Sequence, residues 1–321
     1  MTNRDRGRSP QQPPLPKPYE FVPLLEGQQD LAKPVGHHRY QPDTLSGVLR
    51  ATIVARSAVH VASGLLEQTR DPKYPLIKAH FRVNGKIAIP GTSLKGCIRS
   101  IVEAISRSAV HVTRARGLPT ETLPSRSVDQ LDPAARLFGA QGYQGVVRFA
   151  DAVLIEGKII TVPTPQLFRP RPESVDTYFD GRRPRRRKFY MHGELAKGDL
   201  PLEACDAGSR FGLRMDFNNL TQGELGLILI ALGLGEPRLW PKLGGGKPVC
   251  LGTIEVLDPQ LTIDDPRASY RDFDAVSALQ SIPPLIEAAR AERLVLDDQL
   301  NRLADILRWP RAERRCPDRS Y

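Results

Sequence analysis

The sequence predicts an α+β fold of ferredoxin-like topology: strand, helix, strand, strand, helix, strand, with large insertions and a helical C-terminal extension. Three observations predict it. Apolar residues alternate at 49–55, 146–155 and 211–217, an apolar stripe at helical spacing starts at Leu94, and a capping box at Thr221 opens a second helix directly after a strand.

The elements follow in order. Leu49, Ala51, Ile53 and Ala55 share one face of the first strand, opposite Arg50, Thr52 and Arg56. A long polar stretch, 63–86, precedes Ile87, Ile89 and a Pro-Gly pair at 90 and 91. From Thr92 the spacing of Leu94, Ile98, Ile101 and Ile105 predicts a helix, with Lys95 and Arg99 together on another face. Residues 146–155 read as the second strand and Phe211 to Phe217 as the third. Thr221-x-x-Glu224, with Leu220 and Leu225 placed as a hydrophobic staple, starts the helix 221–233, which Gly233 stops. A fourth strand is expected over 249–257. Pro283-Pro284 then opens a helix carrying Leu296, Leu300, Leu303 and Leu307, closed by Pro310.

This gives three regions. Residues 1–42 hold eight prolines and predict an extended or disordered arm. The core domain spans 43–265, interrupted at about 57–86, 107–145 and 156–210. Residues 266–321 form the helical extension with a basic tail.

Composition narrows the function classes. Lys and Arg number 46 against 36 Asp and Glu, a net +10 that favours a polyanionic partner. No apolar run reaches membrane-spanning length, and Met1 to Pro18 lacks the apolar segment of a secretory signal. Four scattered cysteines without a C-x-x-C argue against a zinc cluster and for a reducing, cytoplasmic setting.

Three segments carry chemistry. The run Arg182, Arg183, Arg185, Arg186, Arg187 and Lys188 is followed by Phe189-Tyr190, and 165–192 has eight basic residues against three acidic ones. Guanidinium groups pair with phosphate, and the aromatic rings suit unpaired bases. His192, next along, is within reach of the same phosphates. In Ile89-Pro90-Gly91-Thr92-Ser93-Leu94-Lys95-Gly96-Cys97-Ile98-Arg99, a glycine turn leads into a helix N-terminus, where free N–H groups and two cations favour an anion. Lys242-Leu243-Gly244-Gly245-Gly246-Lys247-Pro248 lets backbone approach a ligand closely, and Pro248 and Pro241 rule out a Walker A loop.

With the strand at 47–56 and its Val59-His60-Val61, Leu137-Phe138-Gly139, Val147 to Ala152, Phe217-Asn218-Asn219-Leu220 and Glu224-Leu225-Gly226, these segments occur in an order that resembles the RAMP superfamily of CRISPR-associated proteins, especially the backbone subunits of type III effector complexes. The resemblance covers roughly 45–257. It implies an RRM-like fold whose copies stack along a guide RNA, with target RNA and other effector subunits as further partners. By position it implies that Ser93, Lys95 and Arg99 contact guide phosphates and that Gly244, Gly245, Gly246 and Lys247 line the same channel. The aromatic motifs of an ordinary RRM are missing, so base stacking on the sheet is not expected.

The resemblance also raises cleavage. Relatives of this kind cut target RNA with an aspartate in the loop after the first strand, and Asp71 is the only one there. As a metal ligand it would hold Mg2+ or Mn2+. Two other readings stand beside this one: a structural subunit that never cuts, and a RAMP endonuclease that processes repeat RNA with His60 as its base.

Overall fold

The computed structural model describes residues 17–111, 118–167, 186–272 and 277–318 and, between them, the backbone of 179–180 and 183–184. In chain order the principal elements begin with β1 (Tyr19–Pro23), β2 (Leu45–Ala55), β3 (Ala62–Gln68), β4 (Leu76–His80), β5 (Lys86–Ile89), α1 (Gly91–Ile105) and α2 (Pro133–Phe138). They continue with β6 (Val147–Phe149), β7 (Ala152–Glu156), β8 (Ile159–Thr164), β9 (Arg186–Tyr190), β10 (Leu200–Cys205) and β11 (Arg210–Leu220). The last are α3 (Gln222–Ala231), β12 (Ile254–Ile263), α4 (Pro283–Ala291) and α5 (Asp297–Ile306).

The central sheet runs β12-β2-β11-β7-β5, with β6 also pairing on β11, and these pairings are antiparallel. Counting only the strands expected from sequence, the order is fourth, first, third, second, as when two strand-helix-strand units interleave. Register places Leu49 opposite Met215 and Leu261, and Ile53 opposite Phe211 and Val256. All six are buried in one cluster with Leu94, Ile98, Ile101 and Ile105 of α1. The other face of β2 and β11 carries Arg50 directly across from Arg214.

Helix α3 starts as expected. Thr221 Oγ1 accepts from the Glu224 N–H at 3.0 Å, and Glu224 Oε2 accepts from the Thr221 N–H at 3.2 Å. Glu292 adds a second cap, taking the Gly223 N–H at 2.9 Å. Residues 223–231 are all buried because α1 packs on one side of α3 and α4 on the other. Gly226 permits that approach: a Cβ there would lie 1.9 Å from the Leu285 carbonyl oxygen.

Four expectations change. The second strand is two short ones, because the chain leaves the ladder at Ala150-Asp151 to meet the start of α1. The fourth strand begins at Ile254 rather than 249, since 247–249 form a 3-10 turn and Cys250 and Gly252 adopt positive φ. The single C-terminal helix is two: Arg293 at φ 57° turns the chain, Leu294 and Val295 enter the core, and α5 restarts at Asp297. Finally, the arm is extended where it is described, yet it is packed. Pro18 precedes β1 and Pro23 is its last residue, so neither interrupts it; β1 pairs with β9, and Tyr19 and Val22 are buried.

The insertions at 57–86 and 156–210 build a second sheet, β8-β10-β4-β3, whose last strand is nearly all exposed. A Cys250–Cys316 disulfide ties the tail to the segment after the glycine loop, across 66 residues that hide the pair from sequence reading, and it runs against the reducing setting expected from four scattered cysteines. No helix among the described residues is long and apolar enough to cross a membrane.

Candidate nucleic-acid interface

The turn into α1 is built by close packing. Gly91 lies so near β6 that a Cβ would meet the Phe149 carbonyl oxygen at 2.1 Å. Asp151 Oδ1 accepts the Gly91 N–H at 2.7 Å, so this helix terminus already holds one anionic group from the same chain. Ser93 and Lys95 are half-buried beyond it, and desolvation, then Arg99, pushes the Lys95 ammonium below its ordinary range. Arg99 is otherwise engaged: Nε donates to Glu103 Oε1 at 2.8 Å and Nη1 to the Gly139 carbonyl at 2.9 Å.

The glycine loop is seated on the segment that follows β2. The Gly245 N–H donates to the His60 carbonyl at 2.8 Å, and a Cβ on Gly244 would lie 2.3 Å from that same oxygen. Lys247 stands half-exposed at the loop's end. His60 therefore acts through its backbone. Its ring is 3% exposed, and Nδ1 must carry the proton because it donates to the Glu203 carbonyl at 2.6 Å. Burial pushes its pKa down. Such a ring is supported as a structural element and not as a base reaching an RNA hydroxyl.

Of the basic run, the side chains of Arg182, Arg183 and Arg185 lie outside the described residues. Arg186 is exposed. Arg187 turns inward, pairing with Glu103 Oε2, while Lys188 lies 4.8 Å from the ring centres of both Tyr19 and Tyr190. Glu103, a buried carboxylate at the far end of α1, thus holds Arg99 and Arg187 together, two residues that the spacing presents as phosphate ligands.

Between α1, β9 and the glycine loop opens a cavity of about 170 Å³, lined by Cys97, Ser100, Arg187, Lys188, Lys242 and Lys247 among others. It joins three segments that lie far apart in sequence. Lys242 is the residue that motif reading misses; its place beside the glycines is the available signal. Its Nζ donates to the Met191 carbonyl at 2.9 Å, and desolvation, Arg314 and Lys247 bring its pKa to about 7.

His192 takes no part. It is fully buried, with Nε2 donating to the Trp240 carbonyl at 2.9 Å and Nδ1 accepting from the Thr253 hydroxyl at 2.8 Å. Burial, then Lys242, lowers its pKa to about 3. His60 and His80 are shifted the same way, both chiefly by burial. His192 is neutral when folded, and His60 and His80 take up a proton less readily than in the unfolded chain, where all three protonate near pH 6.5. The unfolded state binds more protons below that value, so stability is full above pH 6.5 and falls as pH drops. His192 alone is expected to remove about 2 kcal/mol by pH 5. Denaturation midpoints measured at pH 7.5 and pH 5 check this; equal midpoints would contradict it.

Asp71 sits at the tip of the β3–β4 hairpin, where it shapes the turn. Its Oδ1 accepts the Lys73 N–H at 2.9 Å, and its own N–H donates to Thr69 Oγ1 at 3.1 Å. Glu67, the nearest acid in sequence, pairs with Arg82 at 3.7 Å. A lone carboxylate committed to a turn and flanked by Arg70 and Lys73 does not fit a divalent metal, and no group of three or more candidate ligands occurs among the described residues. Asp71→Ala is expected to lose only the turn contact, about 0.5–1 kcal/mol by thermal unfolding.

Comparison with known proteins gives three findings. A family model described as the RAMP superfamily matches residues 52–255. A solved chain from the cryo-EM structure of the Type III-B Cmr-beta bound to cognate target RNA is similar at 14% identity and a TM-score of 0.37. That similarity covers 68% of this chain and 61% of the other, so this chain spans about three fifths of its length. No curated protein matches.

Proposed function

The chain belongs to the RAMP superfamily, and from that membership we propose that it is a guide-RNA-binding backbone subunit of a type III CRISPR ribonucleoprotein effector, working in the cytoplasm. The observation that carries the reading is the meeting of α1, the basic strand β9 and the glycine loop around one cation-lined cavity. Ser93 and Lys95 on α1 and the half-exposed Lys247 on the glycine loop offer a hydroxyl and two cations beside it. Such groups grip a sugar-phosphate backbone and read no bases, as a subunit holding guides of any sequence requires. The guide would pair with target RNA, and other effector subunits would pack on the exposed second sheet.

The turn geometry of Asp71 favours the non-catalytic form of this reading, a subunit that holds RNA and does not cut it. In an assembled complex Asp71→Ala is then expected to leave target RNA cleavage unchanged; abolished metal-dependent cleavage would restore the nuclease reading.

The direct test is to sequence the RNA that co-purifies with the chain and its native neighbours. Discrete species sharing one constant end with variable interiors are expected. A smear of host RNA lost steeply with salt would reduce the reading to a generic basic surface. Lys95→Ala and Lys247→Ala should each weaken binding across all sequences and lower the salt slope by about one.

A further inference from the structure

Among the described residues, the cavity wall carries Arg187, Lys188, Lys242 and Lys247 and no carboxylate. Arg187 is answered by Glu103, and Lys188 by the Tyr19 and Tyr190 rings. Glu103 has nothing left to offer, since Arg99 takes its other oxygen. Lys242 is 6% exposed, and the partner found for its ammonium is a carbonyl, not an anion. From the tail, Arg314 adds a further positive charge to the same neighbourhood, bonded to the carbonyls of His192 and Lys17 at 3.1 Å each.

A buried cation without a counter-charge is unfavourable, and it either sheds its proton or acquires an anion. The walls here suit the second outcome. Ile101, Phe189 and Leu307 line the same space and keep it apolar, which strengthens any charge pair formed inside. Lys188 approaches from the strand and Lys242 and Lys247 from the loop, while on the helix side Ser100 and Cys97 already donate to the Cys97 and Lys242 carbonyls. That arrangement suits a tetrahedral group with oxygens on all sides better than a planar carboxylate.

We propose that this cavity is a binding site for one phosphate group, with Lys242 as its buried cation and Lys188 and Lys247 closing over it. The group can come from the backbone of a bound RNA or from a free or terminal phosphate. The proposal deepens the RNA-binding reading, and only the first source rests on that reading. Loading the site also draws a proton onto Lys242, so phosphate binding weakens as pH rises above neutrality.

The test uses the full chain, unfolded thermally in sodium phosphate and in sodium chloride at equal ionic strength and pH 7. Phosphate at about a hundred times its Kd is expected to raise Tm by about 5 °C, and Lys242→Met to abolish the rise. Should that variant fail to fold, Lys247→Ala, on the half-exposed loop end, is expected to weaken the phosphate dependence about tenfold. Coincident wild-type curves in the two salts, or an undiminished rise in Lys242→Met, overturn the site. Single-stranded RNA separates the sources. A phosphate rise that vanishes once RNA is bound assigns the site to the RNA backbone; a rise that persists assigns it to free phosphate. A phosphate rise in a chain that binds no RNA would keep the site and remove the RNA-binding reading.

Discussion

Replacing Glu103 with alanine is expected to lower the unfolding free energy by about 3–5 kcal/mol, the usual consequence of removing one member of a buried ion pair. The Glu103 side chain is 2% exposed and both of its oxygens are in use, Oε1 by Arg99 at 2.8 Å and Oε2 by Arg187. Its loss leaves two guanidinium groups, at 17% and 16% exposure, close together and without their shared anion. Lys188 and Lys242 on the adjoining cavity wall add to the repulsion. The effect is not local, because the carboxylate ties α1 to β9 and, through the β1–β9 ladder, to the N-terminal strand. Glu103→Gln keeps the shape and one acceptor, so it should fall between alanine and wild type. Chemical denaturation followed by circular dichroism measures all three. A loss below about 1 kcal/mol for Glu103→Ala would mean that the pair is solvated and that Arg99 and Arg187 are free for phosphate after all.

These two arginines mark where sequence and structure part. Arg99 and Arg187 look like phosphate ligands because spacing reveals a charge and its helix face or its run. For Arg99 the partner is legible, since Glu103 lies four residues on along α1; the carboxylate that Arg187 meets is 84 residues away, and nothing in a one-dimensional pattern carries that distance. Lys242 fails to stand out for the same reason, since its burial depends on Met191 and the tail closing over it. By contrast, α1, the capping box at Thr221 and the order of the central strands are legible, because each rests on residues a few positions apart. The apolar stripe of α1 needs only Leu94, Ile98, Ile101 and Ile105, all of which are in the core. Strand β1 is obscured by its prolines: they signal a broken ladder, yet Pro18 precedes the strand and Pro23 is its last residue, so the ladder with β9 runs unbroken over Tyr19 to Val22. The C-terminal helix reads as one because Pro283-Pro284 marks a start and Leu296, Leu300, Leu303 and Leu307 a stripe beyond it, while the break between them is made by Arg293, a residue that seldom adopts positive φ.

The two glycines of the segment Pro90 to Gly96 are expected to respond to alanine with opposite signs. At Gly91 a Cβ would stand 2.1 Å from the Phe149 carbonyl oxygen and 2.9 Å from its carbon. Both are backbone atoms of a paired strand, so neither can swing away as a side-chain end could. The helix must instead lift from β6, stretching the 2.7 Å bond from the Gly91 N–H to Asp151 and disturbing the seat of Leu94 in the core. A destabilisation of about 3 kcal/mol or more is expected, the upper end for overpacking. Gly96 lies one turn on, exposed, in the interior of α1, and a methyl added there would meet nothing within 4 Å. There alanine should stabilise the isolated chain by about 0.5–1 kcal/mol, because it restricts the unfolded state and favours helix. The isolated fold gives no reason for glycine at 96, whereas a ligand backbone passing close to the helix does. Gly96→Ala should therefore raise Tm and lower RNA affinity in the same protein. If affinity survives while Tm rises, the RNA path does not cross α1 at this turn, and the contacts assigned to Ser93 and Lys95 fall with it.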